Sequence, residues 1–200
     1  MKVIKFEDRE SWLKARQGKI TGSRLKDIVT KRGTGKKIGY YELIAERLAI
    51  PADDENPMDR GTRLEEEAIE RFIKETKKKV NTDLVIWTRN DNESIAISPD
   101  GYIGETEAVE CKCLASARHI EAWLTKEIPS EYQEQKIQYF VVNDKLKKLY
   151  FVFYDPRIPA KDYFVIEIKR EDIEDEIQFY LDYQKQVLAE VEQIVNDLTF

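Results

Sequence analysis

"ISPDGYIGETEAVECKC", residues 97–113, decides how the chain is read. An apolar run closes at Asp100, where Pro99, Asp100 and Gly101 supply turn chemistry. "GET" supplies a second turn, and from Ala108 the pattern alternates again. Residues i and i+2 of a strand face the same side, so Glu110 and Lys112 project together while Val109, Cys111 and Cys113 project to the other. The second of these faces is apolar and belongs to a core. The first is left for chemistry or solvent. An antiparallel return through Tyr102 to Glu105 brings the Asp100 carboxylate beside Glu110, and two carboxylates so placed repel one another unless a cation sits between them.

Magnesium and manganese are the cations that suit such a pair. Both prefer oxygen ligands, and Mg²⁺ is usually held by one or two carboxylates together with substrate phosphate oxygens. Lys112, next in line, would hold or deprotonate an attacking water, while the ion polarises a scissile phosphate. The plainer alternative is a surface strand whose Glu and Lys form a solvated pair. Spacing by itself leaves the two level.

Working outward, composition narrows the choice. The 200 residues are 42% hydrophobic and 36% charged with a net charge of −6. That length buries a sizeable core. The charge argues against coating nucleic acid by bulk electrostatics, so any DNA contact must be local. No apolar run approaches the roughly 20 residues of a membrane helix, and the start lacks a signal-peptide pattern, which predicts a soluble intracellular protein. His119 is the only histidine, which disfavours Ser/His/Asp triads and multi-histidine zinc sites. Cys111 and Cys113 lie in one strand-like segment, side by side but without disulfide geometry, and read as reduced core residues.

Along the chain, Ser23 caps a helix that Gly33 ends. The basic tract "KRGTGKK" (31–37) lacks the glycine and the Ser or Thr of a phosphate loop; Lys31, Arg32, Lys36 and Lys37 read as solvated charge or as backbone contacts. Helices are predicted over about 40–49 and 60–78, with "PADDENPMD" (51–59) a loop. Strands are predicted at 82–88, 94–98 and 108–113. A helix near 116–126 follows, then one from Ser130 to about 142, with Ser130 and Gln133 spaced as a capping box. "KKLYFVFYD" and "DYFVIEIK" read as strands. Residues 171–198 form an amphipathic helix with Ile173, Ile177, Leu181, Leu188, Val191 and Val195 near one stripe. The whole is one α/β domain over 1–200.

Glu65 stands out on the helix at 60–78. At 100° per residue it falls in the middle of the stripe made by Leu64, Ala68, Ile69, Phe72 and Ile73. An inward carboxylate requires a cation or hydrogen-bond donors. A buried salt bridge meets that need as well as a metal does, but a metal gives Glu65, Asp100, Glu110 and Lys112 a common address.

"SPDG" followed by "VECKC" resembles the PD-(D/E)xK nuclease signature. With "WLKARQGKITGS" (12–23), "GTRLE" (61–65), "YQEQ" (132–135) and "YDPR" (154–157), the chain resembles the phage lambda exonuclease family, the YqaJ-like viral recombinases, over nearly its whole length. The resemblance implies a restriction-endonuclease-like core, a mixed central sheet flanked by helices. It implies a metal site on Asp100 and Glu110, joined by Glu65, with Lys112 on the nucleophile. Gln135 takes the place of an active-site glutamine, with Gln138 its rival because the local spacing departs from the family's. Arg16, Ser23 and Arg118 become anchors for a 5′ phosphate. Two have a plain alternative: ion pairing for Arg16, helix capping for Ser23. Trp12, Trp87 and Trp123 read as core, though Trp12 could flank a DNA entrance.

The activity so implied is a Mg²⁺-dependent 5′-to-3′ exonuclease (Mn²⁺ substituting) on linear double-stranded DNA ends, leaving 3′ overhangs. The same resemblance implies a homotrimeric ring, a single-strand annealing protein as partner, and a phage or prophage origin with action in the bacterial cytoplasm. Two rivals stand beside it: a structure-specific or restriction-like endonuclease, and an end-binding protein without catalysis.

Overall fold

Strand alternation in the carboxyl-terminal half of the chain builds a mixed sheet that helices cover on both faces. The computed structural model describes residues 35–50 and 57–199, with Asp8, Glu10, Ser11 and Lys14 ahead of them. The expected helix after Ser23, the anchors Arg16 and Ser23, Trp12, Lys31 and Arg32 lie outside the described residues. Helix α1 is Ile38–Leu48 and α2 is Pro57–Thr76. The short strands β1 (Trp87–Thr88) and β2 (Ala96–Ile97) form a hairpin. β3 (Gly101–Ile103) and β4 (Glu107–Lys112) follow, then α3 (Ser116–Thr125), a 3-10 turn at Ser130–Tyr132 and α4 (Gln133–Val142). β5 (Lys148–Tyr154), β6 (Tyr163–Lys169) and α5 (Glu174–Thr199) complete the order.

The four-stranded sheet runs β3-β4-β5-β6. β3 pairs with β4 antiparallel, β4 with β5 parallel, and β5 with β6 antiparallel. Parallel neighbours need a crossover, and α3 and α4 supply it. Being central, β4 is covered on both sides. Val109 and Cys111 pack with Ala68, Ile69 and Phe72 of α2 and with Tyr150 and Val152 of β5. Ala108 packs on the opposite face with Ile137, Tyr139 and Phe140 of α4 and with Leu149, Phe151 and Phe153. The alternation assigned the faces of β4 correctly, but the face of Glu110 and Lys112 is not open: α4 roofs it, and Glu110 is 3% exposed.

Several local expectations change. α2 starts at Pro57 rather than near 60, since a proline without an N–H suits the first helical turn. The predicted strand at 82–88 shrinks to its last two residues; Leu84 and Ile86 are exposed, with no neighbouring strand among the described residues to pair their alternation. Ser130 does not cap α4, which is preceded by Tyr132 with no side-chain cap; the Gln133 amide instead donates to the Ile128 carbonyl at 2.7 Å. Ile173, just before α5, and Ile177 within it enter the core, while Val191 and Val195 are exposed. Both cysteines are free, Cys111 buried and Cys113 half-buried, and burial pushes the Cys113 thiol up to about 12. Among the described residues no helix is long and apolar enough to cross a membrane.

Candidate active site

The β3–β4 hairpin does the assembling. Gly101 pairs with Val109, so the antiparallel register sets Asp100 opposite Glu110. Gly101 is required by close approach, since a Cβ there would lie 2.6 Å from Cγ1 of Val80. Gly104 turns the hairpin at φ 57°, where a side chain is disfavoured. Asp100 Oδ2 accepts the backbone amide of Cys111 at 2.7 Å, which pins the carboxyl to the strand bearing Glu110.

Glu110 is buried but not bare. Its Oε1 accepts Lys112 Nζ at 2.5 Å and Gln135 Nε2 at 2.6 Å, and its Oε2 accepts the Tyr139 hydroxyl. A carboxylate offers about four lone-pair directions, so three donors leave one on Oε2. Lys112 is held in turn, its Nζ 4.5 Å from the centre of the Tyr132 ring and 5.9 Å from that of Phe151. The Asp100 carboxyl is pushed up to about 7 by burial first and by the Glu110 charge second, against the Cys111 amide that favours its ionised form. Carboxylates pressed together without a compensating charge are the environment that a divalent cation relieves.

Glu65 belongs to the same neighbourhood but differently from expectation. It is exposed, because at its level α2 faces an open groove instead of the sheet. The groove, of about 780 Å³, takes in both Glu65 and Asp100. Its pKa is raised by partial burial and by Glu110, and lowered by Lys112, which puts it in electrostatic reach of both. Among the described residues no three His, Cys, Asp or Glu side chains form a cluster able to enclose a metal. Asp100 and Glu110 meet across the hairpin, with Glu65 within electrostatic reach. A pair is sufficient for an ion that takes its remaining ligands from water and phosphate.

The two candidate glutamines separate cleanly. Gln135 reaches Glu110, whereas Gln138 donates to the Ala96 carbonyl at 3.2 Å and accepts from Gln184 at 2.8 Å. Arg118, in the first turn of α3, donates to Glu121 at 2.6 Å and lies 3.6 Å from Glu131. Those pairs are partly exposed, and exposed pairs contribute little, about 0–1 kcal/mol, so a phosphate can displace them. Tyr132 lies under Lys112, its ring centre 4.5 Å from Nζ. His119 is buried, with Nε2 2.7 Å from the Lys161 carbonyl oxygen, and takes no part.

Tyr139 is the residue that sequence reading passed over. It sits four positions after Gln135, hence on the same face of α4, and that spacing was the available signal. It is fully buried, with its hydroxyl turned to Glu110. Asp155 of "YDPR" is also buried. It accepts Ser116 Oγ at 2.5 Å and Arg157 Nε and Nη2 at 2.7 and 3.0 Å, tying the start of α3 to the end of β5.

Two solved structures of LHK-Exo, an alkaline exonuclease from Laribacter hongkongensis, share this architecture. The complex of that enzyme with dAMP is 32% identical, with a TM-score of 0.60 over 95% of this chain and 98% of the other. The second structure is 31% identical with the same score and coverage. The mixed sheet flanked by helices is accordingly the PD-(D/E)xK fold. No curated protein is similar enough to count as a relative. The model of the YqaJ-like viral recombinase domain matches residues 11–145, which takes in Glu65, Asp100, Glu110, Lys112 and Gln135. By that match, and by the two exonuclease structures, the chain belongs to the YqaJ-like viral recombinase family.

Proposed function

We propose that the protein is a divalent-metal-dependent exonuclease that enters linear double-stranded DNA at an end and degrades the 5′ strand, leaving a 3′ overhang. The observation that carries this reading is the pairing of Asp100 and Glu110 across the β3–β4 hairpin, with Lys112 and Gln135 on Glu110. Family membership and the likeness to an alkaline exonuclease support it.

Asp100 and Glu110 would hold Mg²⁺, or Mn²⁺ in its place, with Glu65 beside them. The ion supplies Lewis-acid polarisation of the scissile phosphate and a more acidic bound water. The chain's own groups do the rest. Lys112, as an ammonium, has three donors; one is on Glu110, and the others hold the attacking water or a phosphate oxygen in line. Gln135 and Tyr139 fix the Glu110 carboxylate so that it need not reorganise as charge develops. Arg118, with Arg16 and Ser23, grips the terminal 5′ phosphate, for which a guanidinium fork is suited. A homotrimeric ring, an annealing protein as partner and action in the cytoplasm of a phage-infected or prophage-bearing bacterium complete the proposal, by resemblance to the family.

The test is digestion of a 5′-phosphorylated linear duplex beside a covalently closed circle, with and without Mg²⁺. The proposal expects metal-dependent mononucleotide release from the linear molecule alone. Cutting of the circle at a comparable rate would mean an endonuclease, and end binding without release in either metal a site without catalysis.

A further inference from the structure

The groove that begins at Glu65 and Asp100 has a second wall. The irregular segment 82–86 forms it, and Leu84 is fully exposed there at 103%, with Ile86 at 71%. Ile69 and Ile73 of α2 also line the groove. Two large aliphatic side chains standing free in water, at the lip of a groove that leads to a reactive centre, are the kind of exposed patch that marks a contact.

Charge selects the occupant. No Lys or Arg is among the described residues that line the groove, whereas Glu66, Glu70 and Asp83 do, in addition to Glu65 and Asp100. A phosphodiester backbone is repelled from the Glu66, Glu70 and Asp83 side of the groove, away from the pair that would take a divalent cation. The cations, Lys112 and Arg118, belong to β4 and α3 and lie outside the groove lining. A nucleic-acid strand crossing the centre therefore has one face for its phosphates, toward the cations, and another for its bases. Nucleobases match the acidic lip on both counts: their flat faces are apolar, and the exocyclic amines of adenine, cytosine and guanine donate to carboxylates.

We infer that Leu84 and Ile86, with the carboxylates beside them, form a contact surface for unpaired nucleobases of the strand whose phosphate lies at Asp100 and Glu110. The inference rests on the nuclease reading and names the part of the substrate that this side of the site takes. The apolar part of this contact tolerates any sequence, because every base presents the same sort of face; the carboxylates add a partner only for bases that carry an exocyclic amine. The strand is thereby held by base on one side and by phosphate on the other.

The experiment is equilibrium binding of a 5′-phosphorylated single-stranded oligonucleotide in Ca²⁺, followed by anisotropy, with natural bases or with abasic sugars at its first positions. The intact protein should bind the abasic strand about tenfold more weakly, the scale set by single-base stacking. The L84S/I86S variant should bind both strands at the abasic level, with the ratio falling below about threefold. Leu84→Trp, which enlarges the flat surface, should widen the ratio. All sites are exposed, and an unchanged melting curve confirms that the variants fold. A ratio equal to that of the intact protein overturns the inference, and does so too if the double variant changes its mass in solution, which would mark the lip as a protein contact. If the intact protein cuts linear duplex while the ratio stays the same, only the lip fails. If it neither binds nor cuts DNA in any divalent metal, the nuclease reading fails with it.

Discussion

Gln135 and Tyr139, one turn apart on α4, hold different oxygens of Glu110: the amide reaches Oε1 at 2.6 Å, and the phenol reaches Oε2. The crossover helix thus fixes a carboxylate that belongs to the sheet. Partners that orient a ligand in this way typically matter 10- to 100-fold in affinity or rate. Tyr139→Phe keeps the buried ring and removes only the donor, so it should lower the cleavage rate by about 10- to 100-fold with little loss in melting temperature. Gln135→Ala should do the same and Gln138→Ala should not. Single-turnover rates on one linear substrate check all three.

Lys112 pairs with Glu110 at 2.5 Å over the face of Tyr132. Removing a positioned catalytic group usually costs about 10²- to 10⁴-fold. Lys112→Ala is expected to abolish cleavage on that scale while DNA ends still bind in a gel shift. Normal turnover would take Lys112 out of the mechanism.

Asp100 gives a pH dependence whose sign is fixed. Its carboxyl is raised to about 7, above its ordinary 3.8, so the metal-free fold binds more protons than the unfolded chain between those values. Stability of the metal-free protein therefore falls as pH rises through that window. A divalent cation takes the ionised pair, so Mg²⁺ or Mn²⁺ affinity should rise over the same range and level off above it, with proton uptake by buffer on binding. Calorimetric titrations in two buffers of different ionisation enthalpy measure this; affinity independent of pH between 5 and 8 would exclude an Asp100 ligand.

Arg118 exchanges partners in the proposed complex, from Glu121 and Glu131 to a phosphate. Arg118→Ala, like Arg16→Ala, should erase the advantage of phosphorylated over hydroxyl 5′ ends without changing the rate on hydroxyl ends. The ratio of the two rates is the measurement.

Asp155 is wholly buried and bonded to Ser116 and Arg157. Asp155→Asn leaves the partly buried Arg157 charge without its carboxylate, and loss of hydrogen bonds to a charged group costs about 1.5–3 kcal/mol. A fall in thermal stability of that size should appear even without metal or DNA.

What was legible in the sequence was whatever depended on neighbours in the chain. The period of two placed Glu110 and Lys112 on one side of β4 and Cys111 on the other, and the turn at Pro99–Gly101 set Asp100 against Glu110. What was not legible depended on distant partners. Alternation in 82–88 predicted a strand, yet a strand needs a neighbour to pair with, and only Trp87 and Thr88 have one. Glu65 lies within an apolar stripe by its angle, but the stripe runs past the sheet into the groove. The Glu110 face looked open because nothing near it in the chain showed that α4, 25 residues on, would close it.

The parallel pairing of β4 with β5 has a consequence for the order in which the chain comes alive. Asp100, Glu110 and Lys112 all emerge from the ribosome before the crossover that carries Gln135 and Tyr139, and before the strand beside which β4 must settle. Pairings so remote in sequence form late. A nascent chain halted near position 120 would carry its acidic groups without Gln135 and Tyr139, which hold Glu110 in the finished fold.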